Sequence, residues 1–207
     1  PYSSGKLEKA DLPASLHFSN NVIENEHLKV VFNNMGQIEK IVDKPNNYNC
    51  VSSSFNAVRI YKDRFVHPYN AWDIDINYTK HKPRDMKLVQ SREYCDGNSV
   101  VRENKFVYNS SSLVQRIILT EKCPYIKVEN EVDWHETHKM LRIDAYPKNF
   151  NEKVLCDIQF GNIQRSTKTD NKIVFAQFEI PAHKWVDVYD GKYGVAILND
   201  CKYGHRV

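Results

Sequence analysis

The segment from Asp133 to Lys139, DWHETHK, places two histidines and two acids beside a tryptophan. Such a group can hold a metal ion, and metalloproteases do so with His-Glu-x-x-His on a helix, where positions i and i+4 share a face. Here only two residues separate His135 from His138. In an extended segment, side chains at positions i and i+3 point to opposite faces, so the pair cannot share one ion without a tight turn.

A structural role is the alternative for this segment. Its polar side chains can satisfy each other and the backbone at the end of a strand. Trp134 would then supply a large ring to bury. The spacing favours this interpretation, and we assign neither a catalytic residue nor a metal ligand to the chain; an edge position beside a cleft stays open.

The elements that position these residues are predicted to be strands. In residues 125–134, apolar and charged side chains alternate with a period of two. Asn33-Asn34-Met35-Gly36 separates two apolar runs and is typical of a hairpin turn. Other strand-length runs lie at 22–32, 37–43, 55–63, 85–94, 99–109, 112–122, 140–147, 153–161, 173–181 and 193–200. Roughly ten to twelve strands with short turns predict an all-β antiparallel sandwich.

The chain divides into two parts on its composition. Residues 1–20 have the Ser, Gly and Pro content of a connector, and residues 21–207 form the predicted sandwich domain. The sequence stops directly after a predicted strand, so we expect a piece of a longer protein. A 3.6-residue apolar stripe is not convincing anywhere, apart from a few residues near position 8.

Charge and hydropathy exclude two classes of partner. The net charge is +3 and the mean hydropathy is −0.61, without Lys/Arg runs. Nucleic acid and membrane partners are therefore not expected. The five cysteines are scattered without a C-x-x-C pair, which favours free thiols in a reducing compartment.

Five motifs occur along the chain in this order: VIENEHLKVVFNNMGQIEKIVDK (22–44), NAWDIDINY (70–78), EVDWHETHKMLRI (131–143), DIQFGNIQRSTKT (157–169) and FEIPAHKWVDVYDGKYGVAILNDCKYGH (178–205). In this order they resemble segments of glycoside hydrolase family 38, the α-mannosidases. Asn70, Ser166 and Lys168 depart from the residues usual in the family. The residues of the second and last motifs are most similar to those of the cytosolic, vacuolar and bacterial branch of the family. This similarity implies a cytoplasmic or vacuolar location.

The resemblance implies a galactose-mutarotase-like β-supersandwich and a parent enzyme that hydrolyses terminal α-linked mannose with retention. It also implies that the nucleophile, the acid/base carboxylate and a divalent metal, zinc or a similar ion, lie in an N-terminal catalytic domain. Nothing in this sequence corresponds to that domain. The implied partners are that domain and a mannose-containing oligosaccharide, and the chain itself is expected to hold no cofactor and to be inactive alone.

Two stretches have the chemistry to contact a sugar, through aromatic faces and through amide or carboxylate groups. The candidate substrate-binding residues are Trp72, Asp73, Asp75, Asn199, Asp200, Lys202 and Tyr203. On a strand, the first two acids would share a face about 7 Å apart. The alternative is that Trp72 and Trp134 are core residues while Asp200 and Lys202 only cap a turn.

Two further alternatives remain from the sequence. His183 and Trp185 alternate with Lys184 and so face one side together, either as a packed, hydrogen-bonded pair or as a substrate contact. The whole chain is either a domain that supports a catalytic half or a free-standing carbohydrate-binding, mutarotase-like module.

Overall fold

The computed structural model describes residues 13–63 and 73–207. Within these ranges, one 3₁₀ helix (Ile76–Lys80) and one short α-helix, α1 (Lys172–Ala176), accompany the strands, and no described helix is long and apolar enough to cross a membrane. The strands in chain order are β1 (His17–Ser19), β2 (Val22–Glu24), β3 (Leu28–Phe32), β4 (Ile38–Asp43), β5 (Tyr48–Asn49), β6 (Ala57–Lys62), β7 (Arg84–Asp85), β8 (Lys87–Asp96), β9 (Ser99–Tyr108), β10 (Ser111–Thr120), β11 (Lys127–Asp133), β12 (Lys139–Asp144), β13 (Lys153–Ile158), β14 (Gly161–Ser166), β15 (Ile180–Pro181), β16 (Trp185–Tyr189), β17 (Gly194–Leu198) and β18 (Gly204–His205).

All strand pairs are antiparallel, which confirms the predicted all-β class. The sheets have the orders β1-β2-β3-β4-β5, β11-β10-β9-β8, β12-β6-β7, β14-β13-β16-β17 and β15-β18. The described residues form more strands than the sequence predicted, because several strands are only two or three residues long and too short for alternation to reveal.

One face of the β8–β11 sheet covers two other sheets. At one end, Val100 of β9 and Leu119 of β10 pack in a core with Val30 and Phe32 of β3. At the other end, the cross-strand pair Phe106–Leu113 packs with β6 and Met86. The burial of apolar side chains between facing sheets is the main stabilising interaction of such a sandwich.

A polar belt separates these two apolar regions. It consists of Arg102, Asn104 and Gln115, which are all less than 5% exposed. Asn104 Nδ2 donates to the carbonyl of Gly36 (3.1 Å), and the side-chain amides of Gln115 and Asn56 exchange two hydrogen bonds (2.6 and 3.2 Å). Arg102 Nε donates to Asn104 Oδ1 (2.9 Å), so the buried polar groups are paired with one another.

The hairpin predicted at residues 33–36 is confirmed. Asn33 Oδ1 accepts hydrogen bonds from the backbone N–H groups of Met35 (2.9 Å) and Gln37 (3.0 Å). Gly36 has a φ of +76°, and a Cβ there would lie 3.1 Å from Asn104 Nδ2. The glycine therefore serves both the turn and the close approach to the polar belt.

The β14-β13-β16-β17 sheet has a core of its own. Its strands, together with β15, bury one apolar cluster, which comprises Val154, Cys156, Ile180, Ala182, Val186 and Val188. The stacked rings of Tyr48 and Tyr193, with centroids 4.0 Å apart, connect this sheet to the region around β5. This part of the chain carries the candidate residues near the C-terminus.

The strand predicted over 173–181 is wrong for most of its length. Residues 172–176 form α1 instead, because the Asn171 side chain accepts hydrogen bonds from the N–H groups of Ile173 (3.0 Å) and Val174 (2.9 Å). A side chain that caps two N–H groups in this way starts a helix. None of the helical residues is buried, so packing against a sheet does not favour a strand over the helix here.

The alternation predicted for 125–134 is correct, but its setting is not a closed core. β11 is the edge strand of its sheet, paired only with β10 among the described strands. Val128 and Val132 are 37% and 44% exposed. The period of two therefore reports the pleat of the strand and not full burial.

Candidate functional site

The DWHETHK segment connects two sheets. β11 ends at Asp133 and β12 begins at Lys139, so the chain turns between them from one sheet to the next. The Glu136 carboxylate accepts hydrogen bonds from Asn109 Nδ2 (2.9 Å) and Ser111 Oγ (3.2 Å). These bonds fasten the crossover to the turn that precedes β10 and to the first residue of that strand.

The two histidines of this segment have different surroundings. The His135 imidazole lies 2.8 Å from an oxygen of Asp133, and His138 has a φ of +50° at the start of β12. Trp134 packs against the core under the β6 strand. No group of three or more His, Cys, Asp or Glu side chains within residues 13–63 and 73–207 is arranged to hold a metal ion. The contacts are those of the structural interpretation.

The first candidate sugar-contacting stretch is partly described. Trp72 lies outside the described residues, and Asp73 is exposed. Asp75 precedes the 3₁₀ helix, and its Oδ1 accepts hydrogen bonds from the backbone N–H (2.9 Å) and the Nδ2 (2.7 Å) of Asn77. The expectation that Asp73 and Asp75 share a strand face is wrong, because the capping bond of Asp75 starts a helix there.

The second stretch, residues 199–203, follows β17 as a tight turn. Asn199 Oδ1 accepts a hydrogen bond from the N–H of Lys202 (2.7 Å), and the N–H of Asn199 donates to the carbonyl of Lys184 (2.8 Å). Asn199 therefore shapes the turn, whereas Asp200 and Lys202 are exposed. The backbone carbonyl of Tyr203 accepts from Ala182 N–H (2.9 Å) and ties the end of the turn to the residue that follows β15.

This turn forms one wall of an open pocket. The pocket has a volume of about 310 Å³ and is lined by His183, Lys184, Asp200 and Tyr203. The rings of His183 and Tyr203 meet edge to face with centroids 5.5 Å apart, and Tyr203 is 55% exposed. The residues that line the pocket thus carry an aromatic ring, a carboxylate, an ammonium and an imidazole.

The structure brings together some of the predicted residues and adds others. Asp200 and Tyr203 share the pocket, with His183 from the adjacent stretch and with Lys184, which the sequence did not single out. Cys201 does not supply a reactive thiolate, because its hydrogen bond to Asp200 raises the pKa of the thiol. Lys184 was missed because its place in the pocket depends on the pairing of β16 with β17 and not on a local motif.

A shielded polar cluster lies close to both candidate stretches and has no sequence signature. Arg142 Nη1 donates to Glu179 Oε1 (2.7 Å) and to the hydroxyl oxygen of Tyr78 (3.0 Å), while that hydroxyl donates to Glu179. Burial, with the Glu179 hydrogen bond, raises the pKa of Tyr78. Burial is the largest single influence and would lower the pKa of Arg142, but the hydrogen bond and charge of Glu179, together with Tyr78 and Asp144, raise it overall. Both groups therefore keep their protons.

Curated relatives of this chain are larger proteins. Alpha-mannosidase G of Dictyostelium discoideum is 29% identical over 213 residues, which cover 99% of this chain and 19% of that protein. Alpha-mannosidase 2C1 of Homo sapiens is 40% identical over 98 residues, which cover 47% of this chain and 9% of that protein. The chain thus spans less than a fifth of the length of these relatives.

Two solved structures share the fold. An alpha-mannosidase from Enterococcus faecalis superposes with a TM-score of 0.72 at 14% identity, covering 90% of this chain and 24% of that one. A protein in the glycosyl hydrolase family 38 from the same organism superposes with a TM-score of 0.69, also at 14% identity, over 90% of this chain and 25% of that one. At this identity the likeness supports the all-β sandwich fold alone.

A model of one protein family matches nearly all of the described sandwich. The match is to the glycosyl hydrolases family 38 C-terminal domain and runs over residues 23–207. It covers the candidate turn, the pocket and the polar cluster, in agreement with the motif resemblance that begins near Val22. The chain therefore belongs to the glycosyl hydrolase family 38, as its C-terminal domain.

Proposed function

We propose that this chain is the cleft-supporting C-terminal domain of a larger α-mannosidase that hydrolyses terminal α-linked mannose with retention. The observation that carries the proposal is the family match over residues 23–207. Relatives of which this chain spans 19% or less bear the name alpha-mannosidase, which supports the activity of the whole protein.

The reaction chemistry is proposed to lie in another domain. Retention requires two carboxyl groups roughly 5–5.5 Å apart, one as nucleophile and one as acid/base. Asp73 and Asp75 are the acids that the sequence places close together, but one oxygen of Asp75 caps a helix. The partner of this chain is an N-terminal catalytic domain of the same protein. That domain supplies the two carboxyl groups and binds a divalent ion such as zinc. On its own, this chain is inactive.

The contribution of this chain is to line the substrate cleft. The exposed ring of Tyr203 can pack on the C–H face of a sugar, while Asp200 and Lys184 can bond its hydroxyls. His183 supports the Tyr203 ring from the side. A ring beside charged groups in one concave site is the arrangement expected for binding a mannose-containing oligosaccharide. Asp73, which is exposed, is proposed to contact the same substrate.

We also propose that the protein lies in the cytoplasm or the vacuole. All five cysteines are free thiols in the structure, and Cys156 is fully buried as a small apolar side chain. Imaging of the tagged full-length protein tests this location: cytoplasmic or vacuolar signal supports it, and secretion into the medium contradicts it.

The function is tested by comparing the full-length protein with this chain alone. Both are assayed for release of mannose from an α-mannoside, with and without added zinc, and the first-formed anomer is followed by proton NMR. We expect the full-length protein to release α-mannose first and the chain alone to release none. Turnover by the chain alone contradicts the assignment of the chemistry to another domain, and tight mannoside binding by the chain alone supports a free-standing module instead.

A further inference from the structure

Arg142, Glu179 and Tyr78 form a closed triangle of contacts. Tyr78 is 1% exposed, and its hydroxyl both donates to Glu179 and accepts from Arg142. The side chains of Arg142 and Glu179 are 20% and 17% exposed. Each polar group thus has a partner inside the triangle, and Tyr78 is also bonded by Arg206 from outside it. A lost partner leaves Arg142 and Glu179 less well satisfied.

Ring contacts hold the guanidinium of Arg142 in one position. It lies 5.8 Å from the ring centre of Tyr61 and 5.5 Å from that of Tyr78, and the two rings meet edge to face at 5.6 Å. A planar guanidinium that stacks on aromatic rings while it donates two hydrogen bonds keeps a defined direction, which a lysine ammonium does not.

The neighbouring strand directs Arg142 toward Glu179. Arg142 of β12 lies directly opposite Arg59 of β6, and like charges in this position repel. Arg59 is held by its own carboxylates, Asp144 (3.0 Å) and Asp85 (3.2 Å). Arg142 therefore takes Glu179 as its partner, on a segment of the chain that belongs to neither strand.

The triangle reaches the two candidate stretches through covalent neighbours. Tyr78 lies in the 3₁₀ helix that Asp75 caps, and Asp73 lies two residues before that cap. Glu179 immediately precedes β15, which pairs with β18, and Ala182 N–H bonds the carbonyl of Tyr203. Tyr78 thus connects the triangle to the stretch that begins at Asp73, and Glu179 connects it to the turn at 199–203.

We infer that Arg142 is a positioning residue that fixes residues 73–80 and residues 199–205 relative to each other. Its role in catalysis rests on the proposed function, since it acts through stretches that line the cleft. Without Arg142, each stretch keeps its own local hydrogen bonds, and the guanidinium of Arg206 still lies 5.7 Å from the ring centre of Tyr78. The guanidinium that joins Tyr78 to Glu179 is lost.

The test uses the full-length protein with Arg142→Met and the matched control Arg116→Met. Arg116 is another strand arginine with a carboxylate partner, Glu103 (3.0 Å), but it is remote in sequence from both stretches and pairs within the β8–β11 sheet. We expect amide hydrogen exchange of Arg142→Met to rise by about tenfold in residues 73–80 and 199–205 together, since hydrogen bonds to charged groups are the stronger class. Arg116→Met leaves both stretches as in the wild type.

Two further variants keep the test decisive if Arg142→Met fails to fold. Tyr78→Phe removes only the hydroxyl and keeps the ring, and it should raise exchange in the same two stretches. Arg142→Lys keeps the charge but loses the planar double donor, and it should restore only part of the protection. A rise in one stretch alone, or in neither, in a folded variant overturns the inference.

Kinetics separate this inference from the proposed function. Joint loosening with a raised KM for the mannoside and a nearly unchanged kcat supports both. Joint loosening with unchanged KM supports the positioning role of Arg142 and contradicts sugar contact by the two stretches. A raised KM without joint loosening overturns the positioning role.

Discussion

At the residue scale, charge and exposure separate the residues that can bind a ligand from those that hold the fold. Asn199 and Asp75 both use side-chain oxygens to shape their own turns. Asp200 and Tyr203 project into the pocket. The sequence found the turn after β17 because polar residues follow an apolar strand. It could not assign these different roles, since each depends on where one side-chain oxygen points.

Asp200→Asn should raise KM for an α-mannoside by about tenfold in the full-length protein with little change in stability. A hydrogen bond to a charged group contributes roughly 1.5–3 kcal/mol, and about 1.4 kcal/mol corresponds to tenfold in affinity. Steady-state kinetics and the thermal unfolding midpoint measure the two effects. Asp96→Asn, an exposed strand-end aspartate on the β8–β11 sheet, is the control. Equal KM values for both variants would remove Asp200 from the cleft.

Asp75→Ala should lower the free energy of unfolding by about 1 kcal/mol, because a helix loses its capping side chain. Asp75→Ser retains a capping oxygen and should recover most of this loss. Urea unfolding of the three proteins gives the values. The KM of Asp75→Ser for an α-mannoside is the second readout. If Asp75→Ser recovers stability but not the KM of the wild type, the Asp75 carboxylate also binds substrate, contrary to a role as a cap alone.

His205 should make the protein sensitive to mild acid. Burial lowers the pKa of His205 below its ordinary 6.5, so the folded state favours the neutral imidazole. The unfolded chain binds the proton more readily, and stability therefore falls as the pH drops below about 6.5. His205→Gln should flatten this part of the stability profile, measured by urea unfolding between pH 7 and pH 5, whereas the exposed His17→Gln should not. A wild-type profile for His205→Gln contradicts the account.

At the element scale, alternation located the long strands and missed the short elements. β10 alternates over ten residues, so a period of two is evident, whereas β9 buries Val100, Val101 and Arg102 in succession. In α1 and the 3₁₀ helix the capping side chains of Asn171 and Asp75 decide the structure, and the helices are only one turn or so long. The polar belt across the sandwich was also missed, because it depends on which strands face each other.

Gln115→Leu should destabilise the protein by about 1–3 kcal/mol, although it places an apolar residue in the interior. Its loss leaves Asn56 without the two amide bonds that the pair exchanges. The bond from Gln115 to Asn130 on β11 (2.9 Å) is lost as well. Gln90→Leu on the exposed side of β8 is the matched control, and urea unfolding compares them. Equal stabilities would show that the polar belt does not stabilise the fold.

At the scale of the whole molecule, two apolar cores and a polar belt support a sandwich, and a third core supports the sheet that carries the pocket. The antiparallel class could be predicted from alternation, and the family from five motifs. The pocket could not, because its residues meet only after β16 and β17 pair. The polar cluster around Arg142 lies between the two candidate stretches, and we propose that it fixes them relative to each other.

The most direct measurement is a crystal structure of the full-length protein with a bound mannose-like inhibitor. We predict that the turn at residues 199–203 faces the sugar, with Asp200 or Tyr203 within hydrogen-bonding or packing distance of it. A structure in which the sugar is held by another domain alone, with this pocket open to solvent away from the cleft, would contradict the account.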